Sequence, residues 1–193
     1  MFSTAILAGG QATRFGGRDK SALVVEGQTI LERQLAALTP VTSDVVIVGG
    51  PERVRPRRVG DLVPGCGPLG GLHAALTDAR GDGVVLIACD MPYITSPFIS
   101  YLITLAGDAE IVVPQTERGY HPLCAVYARS CLEAVTRRLA ERRLKMLDLF
   151  ADVKTRVVTG EDIDRFGDRH RLLANVNTPS EYAGLEALQS HKR

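Results

Sequence analysis

Short apolar runs of strand length alternate with amphipathic segments of helix length along this chain, and few architectures accommodate that alternation. Thr4–Leu7, Val45–Val48 and Val84–Ala88 are almost wholly apolar. Strands buried on both faces read this way, whereas a strand wetted on one face alternates polar with apolar. Between them, Thr29–Leu38 places Ile30, Leu31, Gln34, Leu35 and Leu38 on one helical face before Pro40 ends it, and Leu69–Ala79 reads as a helix of small residues. Ser96 is expected to cap a helix beginning at Pro97, with Phe98, Ile99, Leu102, Ile103 and Leu105 facing inward. Ile111–Val113 and Ala125–Tyr127 read as further strands. A helix over Ser130–Arg142, a strand over Thr155–Val158 and a last helix over Ser180–Leu188 complete the series. Such βα repetition builds helices onto a mainly parallel sheet. The expected fold class is α/β: a single three-layer, Rossmann-like domain with a mainly parallel, mixed sheet.

Length agrees, since 193 residues with no internal repeat or linker make one domain by the prior of roughly 100–200 residues each. Hydrophobic residues at 45% and charged residues at 23% exclude a disordered chain. Lys and Arg number 23 against 22 Asp and Glu, a net charge of +1, so no global basic field is available to hold a nucleic acid or an anionic membrane. A charged ligand has to be gripped locally. The apolar start is too short for a signal peptide and no stretch reaches the roughly 18 apolar residues of a membrane span, so a cytoplasmic protein is expected. Cys66, Cys89, Cys124 and Cys131 form no C-x-x-C pair and no zinc-type spacing with histidine, and are expected to be reduced thiols. No Gly-x-Ser-x-Gly elbow occurs, and no histidine has a neighbouring nucleophile that suggests a triad.

Sheets of this kind bind ligands at the carboxyl ends of their strands, so the residues just after each apolar run are the candidates. After the first run come Leu7, Ala8, Gly9 and Gly10, then Arg14, Gly16, Gly17, Asp19 and Lys20. Glycines let backbone N–H groups approach phosphate oxygens, and Arg14 and Lys20 supply the neutralising charge. Neither the Gly-x-Gly-x-x-Gly fingerprint nor a Walker A loop is present, because Asp19 stands where the latter has glycine. A flexible surface loop is the plain alternative. A second glycine cluster, Gly65, Gly67, Gly70 and Gly71, follows Asp61. A carboxylate there suits the N–H edge of guanine, and an Asp-capped turn opening a helix at Gly67 is equally good chemistry. Asp90 emerges from the third apolar run just before Pro92, the crevice position for a metal-binding carboxylate, with a turn cap as its alternative.

These segments, together with His121-Pro122-Leu123 and Asn175-Val176-Asn177-Thr178-Pro179, resemble the signature of the molybdenum-cofactor guanylyltransferases of the nucleotidyltransferase superfamily, in order from Ala5 to Tyr182. The resemblance implies transfer of GMP from GTP to the terminal phosphate of molybdopterin, with pyrophosphate released. It implies Mg²⁺, or Mn²⁺ in its place, on Asp90, with Arg14, Lys20 and Asp90 as the catalytic set. Leu7, Ala8, Gly9, Gly10, Lys20, Asp61, Gly67 and Asp90 would bind nucleotide, and Asn175 and Asn177 the acceptor. Residues 1 to about 110 would form the nucleotide part and 111–193 the acceptor part. A molybdoenzyme or cofactor chaperone would receive the product. His121 receives no chemical role. The basic residues Arg137, Arg138, Arg142, Arg143 and Lys145 either meet the anionic acceptor or form a solvated helix face.

Three rivals remain at this stage. A cytidylyltransferase of the same cofactor resembles Leu-Ala-Ala-Gly at its start, where this chain has Gly9. A sugar-phosphate nucleotidyltransferase is usually longer. A non-enzymatic delivery adapter would bind nucleotide and release no pyrophosphate.

Overall fold

The structure, a computed structural model, describes residues 1–8, 20–50, 56–60 and 62–176, apart from the side chain of Lys20. In chain order, β1 is Phe2–Leu7, and β2 (Val24–Val25) and β3 (Gln28–Thr29) form a hairpin. Next come α1 (Ile30–Leu38), β4 (Val45–Val48), β5 (Arg57–Val59), α2 (Gly67–Asp78), β6 (Gly83–Ala88) and α3 (Ser96–Thr104). The second half holds β7 (Ile111–Thr116), β8 (Gly119–Tyr120), β9 (Cys124–Ala128), α4 (Cys131–Ala140), β10 (Thr155–Val158), α5 (Gly160–Asp164) and α6 (Arg169–Leu172).

The main sheet runs β10-β7-β9-β6-β1-β4-β5, with β8 added to β7. Pairings of β1 with β4 and β6, of β4 with β5 and of β7 with β10 are parallel, whereas β9 lies antiparallel between β6 and β7. The sheet is therefore mainly parallel and mixed, as the alternation of runs predicts. Every residue of β6 is buried, which is why Gly83–Ala88 carries no polar side chain. Successive residues point to opposite layers. Ala5, Leu7, Val84 and Leu86 pack with Leu69, Leu72 and Leu76 of α2 and Val135 and Leu139 of α4. Ile6, Val85 and Ile87 pack with Leu31 and Leu38 of α1 and Phe98, Ile99 and Leu102 of α3.

Several boundaries differ from expectation for identifiable reasons. Ser96 is the first residue of α3 and not its cap. Extended Thr95 holds the cap position, while Ser96 Oγ donates to the Ala37 carbonyl at 2.7 Å and ties α3 to α1. Helix α4 stops at Ala140, and Arg142 beyond it has a left-handed backbone (φ 57°). The β2–β3 hairpin, β5, β8, α5 and α6 are too short or too polar to carry an apolar period. The helix expected over Ser180–Leu188 lies outside the described residues. The α1 start is marked by a capping box: Thr29 Oγ1 accepts from the Glu32 N–H at 3.1 Å and the Glu32 carboxylate accepts from the Thr29 N–H at 2.8 Å.

None of the four cysteines is in a disulfide, and burial pushes the Cys124 and Cys131 thiols up to about 12, out of the reactive range. No helix among the described residues is long and apolar enough to cross a membrane.

Candidate active site

The chain travels outward from β1 to β4 and β5, then returns through α2 to β6 on the other side of β1. The carboxyl ends of β1 and β6 thus lie side by side where the strand order reverses, the crevice in which open α/β sheets take ligands. Leu7 is paired in register with Ala88, and the Cys89 N–H donates to the Leu7 carbonyl at 3.1 Å. This bond joins the start of the glycine-rich loop to the segment that carries Asp90. On the other side, the Ala8 N–H donates to the Val48 carbonyl at 3.0 Å.

Glycine leaves room at two places here. A Cβ on Gly71 of α2 would meet Leu7 Cδ2 at 2.7 Å, so a side chain there would have to push the Leu7 side chain aside where α2 packs on the end of β1. Gly50, after β4, has φ +70°, and a Cβ on it would lie 2.9 Å from the Ala8 Cβ. Leu7 itself is buried in the core.

Asp90 is 8% exposed at the exit of β6. The Asn175 side-chain N–H donates to its Oδ1 at 3.0 Å, and the Val176 N–H donates to its backbone carbonyl at 2.9 Å. The sequence assigned these two residues to opposite ends of the reaction, and the fold joins them. Gly67 opens α2 with φ +58°, followed by Pro68 in the first turn. Lys20 begins the short 3₁₀ turn Lys20–Ala22. Gly9, Gly10, Arg14, Asp61 and Asn177 lie outside the described residues.

Several residues around this crevice escaped the sequence reading. Gln34 of α1 is fully buried and donates through Nε2 to the carbonyls of Ala88 (2.7 Å) and Met91 (3.1 Å). Arg33 Nε donates to the Pro92 carbonyl at 2.9 Å. Glu26, at the tip of the β2–β3 hairpin, pairs with Arg33 at 3.1 Å and with Arg171 at 2.5 Å. Both guanidinium groups stand over the Tyr93 ring, at 4.1 Å for Arg171 and 5.3 Å for Arg33. The hairpin after the glycine-rich loop, the Asp90 segment and the approach to Asn175 are thus fastened together. The available signal was a polar residue, Gln34, at a position the helical period assigns to the core. A groove of about 550 Å³ lies beside this cluster, between α1, the start of α3 and α6, and is lined by Tyr93, Thr95 and Asp168.

The basic stretch is largely spent on neighbours. Arg138 is 1% exposed, bonded to the Asp152 carboxylate at 2.5 Å and to the Asp148 carbonyl, and its hydrogen bond, with its charge, holds the Asp152 carboxyl below the usual carboxylate range. Arg137 pairs with Asp152 at 3.5 Å, Arg143 with Glu141 at 3.2 Å and Lys145 with Asp148 at 3.9 Å. Arg142 reaches the Cys66 Sγ at 3.7 Å, next to the start of α2. His121 shares a hydrogen bond with Thr116 Oγ1 at 3.0 Å, and its N–H donates to the Pro114 carbonyl at 2.9 Å. Those contacts tie the chain that leaves β8 back onto β7.

Solved structures share this architecture. Molybdopterin-guanine dinucleotide biosynthesis protein A from Archaeoglobus fulgidus superposes with a TM-score of 0.82 at 24% identity, covering 98% of this chain and all of that one. The 2-C-methyl-D-erythritol 4-phosphate cytidylyltransferase from Thermus thermophilus superposes with a TM-score of 0.69 at 14% identity, covering 98% of this chain and 100% of that one. These likenesses show the fold, a mixed α/β sheet whose strand order reverses at the mouths of β1 and β6. A family model, the MobA-like NTP transferase domain, matches residues 4–154. A probable molybdenum cofactor guanylyltransferase from Pelotomaculum thermopropionicum is 33% identical over 97% of this chain and 93% of its own length. The molybdenum cofactor guanylyltransferase of Desulfosudis oleivorans is 32% identical over 94% and 93%. The chain belongs to the MobA-like NTP transferase family and is a nucleotidyltransferase enzyme.

Proposed function

We propose that this chain transfers GMP from GTP to the terminal phosphate of molybdopterin, forming the guanine dinucleotide cofactor and releasing pyrophosphate. The observation that carries the reading is the position of Asp90: at the mouth of β6, beside the start of the glycine-rich loop, with Asn175 on its carboxylate. The names of the relatives support the base and the acceptor. Within one domain, residues 1 to about 110 serve the nucleotide and 111–193 the acceptor, and Asn175 reaches back across that division. The compartment proposed is the cytoplasm, with the product passing to a molybdoenzyme directly or through a cofactor chaperone.

A divalent cation, Mg²⁺ or Mn²⁺, fits the donor set. Among the described residues no three of His, Cys, Asp and Glu converge, and a single hard carboxylate suits an ion that takes its other oxygens from substrate phosphates and water. Bound at Asp90, the cation would neutralise charge on the reacting phosphates. The backbone N–H groups of Gly9 and Gly10 and the cations Arg14 and Lys20 grip the triphosphate, with Leu7 and Ala8 setting where that loop begins. Asp61 and Gly67 receive the base, and Asn175 and Asn177 receive the acceptor, whose ring edge offers donors and acceptors to their amides.

No general base is required. A phosphomonoester has a second pKa near about 6, so the acceptor phosphate is already a nucleophile at neutral pH. Its oxygen forms a bond to the α-phosphorus as the bond to the β-phosphate oxygen breaks, and pyrophosphate leaves with that electron pair. Orientation and charge stabilisation are what the protein supplies.

The test is to incubate the purified protein with Mg²⁺, molybdopterin and each of the four NTPs and to measure pyrophosphate. Release with GTP is expected. Dependence on CTP in place of GTP reassigns the base, and no release with any NTP points to a delivery adapter.

A further inference from the structure

Five consecutive residues carry Asp90 out of the sheet, and most of their backbone groups are held from outside the strand. The Cys89 N–H goes to the Leu7 carbonyl and the Asp90 carbonyl takes the Val176 N–H. The Ala88 and Met91 carbonyls share one partner, the side-chain amide of Gln34, and the Pro92 carbonyl takes Arg33. Gln34 thus brackets Asp90, one hydrogen bond before it and one after it in the chain.

The direction of that amide is set by chemistry. Two carbonyl oxygens face it, and only the NH₂ end has donors for both. Its Oε1 is then buried with no hydrogen-bond partner among the described residues. An acceptor left unmade in the interior is a cost to folding. A leucine or methionine would fill the same place in the α1–β6 packing and spare that acceptor, but would leave the Ala88 and Met91 carbonyls without the donors they have here. The arrangement therefore favours a role in which the two donors matter more than the packing.

We propose that Gln34 is a positioning residue for the reaction: by tying the carbonyls of Ala88 and Met91 it fixes the turn that aims the Asp90 carboxylate into the crevice. The inference rests on the reading of Asp90 as the carboxylate that meets a divalent cation. Residues that orient a metal-binding group through a hydrogen bond commonly change metal affinity by about 10–100-fold when removed.

The experiment uses the full chain with GTP and no acceptor, so that nothing turns over, and titrates Mn²⁺ by electron paramagnetic resonance. Gln34→Met removes both donors at nearly constant volume. Gln34→Glu, which offers at most one proton to the two carbonyls, serves where the Met variant does not fold. Thermal unfolding sets a working temperature at which each variant is native. The expected result is a Mn²⁺ dissociation constant raised about tenfold or more in Gln34→Met and by a smaller factor in Gln34→Glu, with GTP affinity in EDTA unchanged. A lowered melting temperature with unchanged Mn²⁺ affinity makes Gln34 merely structural and overturns the proposal. An equal loss of GTP affinity in EDTA overturns it too, because the whole crevice has then deformed. Asp90→Asn is the companion arm. If it leaves Mn²⁺ binding intact, the metal reading of Asp90 falls and this inference with it, whereas failure in Gln34→Met alone leaves that reading standing.

Discussion

The side-chain amide of Asn175 donates to Asp90 Oδ1 at 3.0 Å across a separation of 85 residues. An asparagine fits because its N–H stabilises a carboxylate without competing for a cation. Replacing it with aspartate sets two carboxylates at hydrogen-bonding distance, an arrangement in which both do not ionise easily unless a cation sits between them. Asn175→Asp is therefore expected to melt lower than the parent in EDTA and to gain more thermal stability from added Mn²⁺. Equal Mn²⁺-induced shifts in the two proteins would show that the pair does not face the metal.

Lys20→Ala and Asp90→Ala separate catalysis from folding. Lys20→Ala removes a cation assigned to the phosphates and Asp90→Ala the carboxylate assigned to the metal, and neither removes apolar core. Loss of one charge-stabilising group typically costs about 10²–10³ in kcat. That fall is expected in steady-state pyrophosphate release, with melting temperatures close to the parent's. Near-normal turnover in either purified variant would remove that residue from the catalytic set.

His121 gives the fold a pH dependence of known sign. Burial, then the neighbouring Arg118 charge, hold its imidazole below the ordinary value of about 6.5, against the opposing pull of Glu117. The unfolded chain takes up this proton more readily than the folded one. The contribution to stability is thus fully present above about pH 6.5 and is lost as pH falls from there through the lowered folded value. His121→Gln is expected to flatten the decline in melting temperature between pH 7 and pH 5 relative to the parent. Parallel curves would place the titrating group elsewhere.

The sheet was legible because β4 and β6 carry only apolar residues and β1 is apolar from Ala5 onward, as strands covered on both faces are; Val45–Val48 and Thr155–Val158 are strands with the expected bounds. Arg57–Val59 escaped notice since an outer strand of three residues has no apolar run to display. Asp90 was legible for the same reason as β6: a carboxylate directly after a wholly apolar run marks the strand's mouth. Its bond to Asn175 and the Glu26–Arg33–Arg171 cluster over Tyr93 were not. Each joins elements distant in sequence, and no spacing records which polar residues meet once the chain has folded. Gln34 lay between these cases, visible as an inconsistency in the α1 period and intelligible only with the Ala88 and Met91 carbonyls beside it.

Gly50 tests how tightly the mouth of β1 is held. An alanine there meets two obstacles: a left-handed backbone, φ +70°, and the Ala8 Cβ at 2.9 Å, with the Ala8 carbonyl oxygen behind it at 3.4 Å. The first costs about 1–2 kcal/mol and the second, as overpacking, about 1–3 kcal/mol more. Neither neighbour is the loose end of a long side chain, so relief comes through backbone movement at Ala8, and the Ala8 N–H is bonded to Val48. Because Ala8 opens the glycine-rich loop, Gly50→Ala is expected both to lower the melting temperature and to raise the KM for GTP. Gly27→Ala, at φ +79° with nothing within 4 Å of the added Cβ, carries the backbone cost alone and supplies the control. It is expected to lose stability with KM unchanged, and equal KM effects in the two variants would mean that contact with Ala8 is not what reaches the nucleotide.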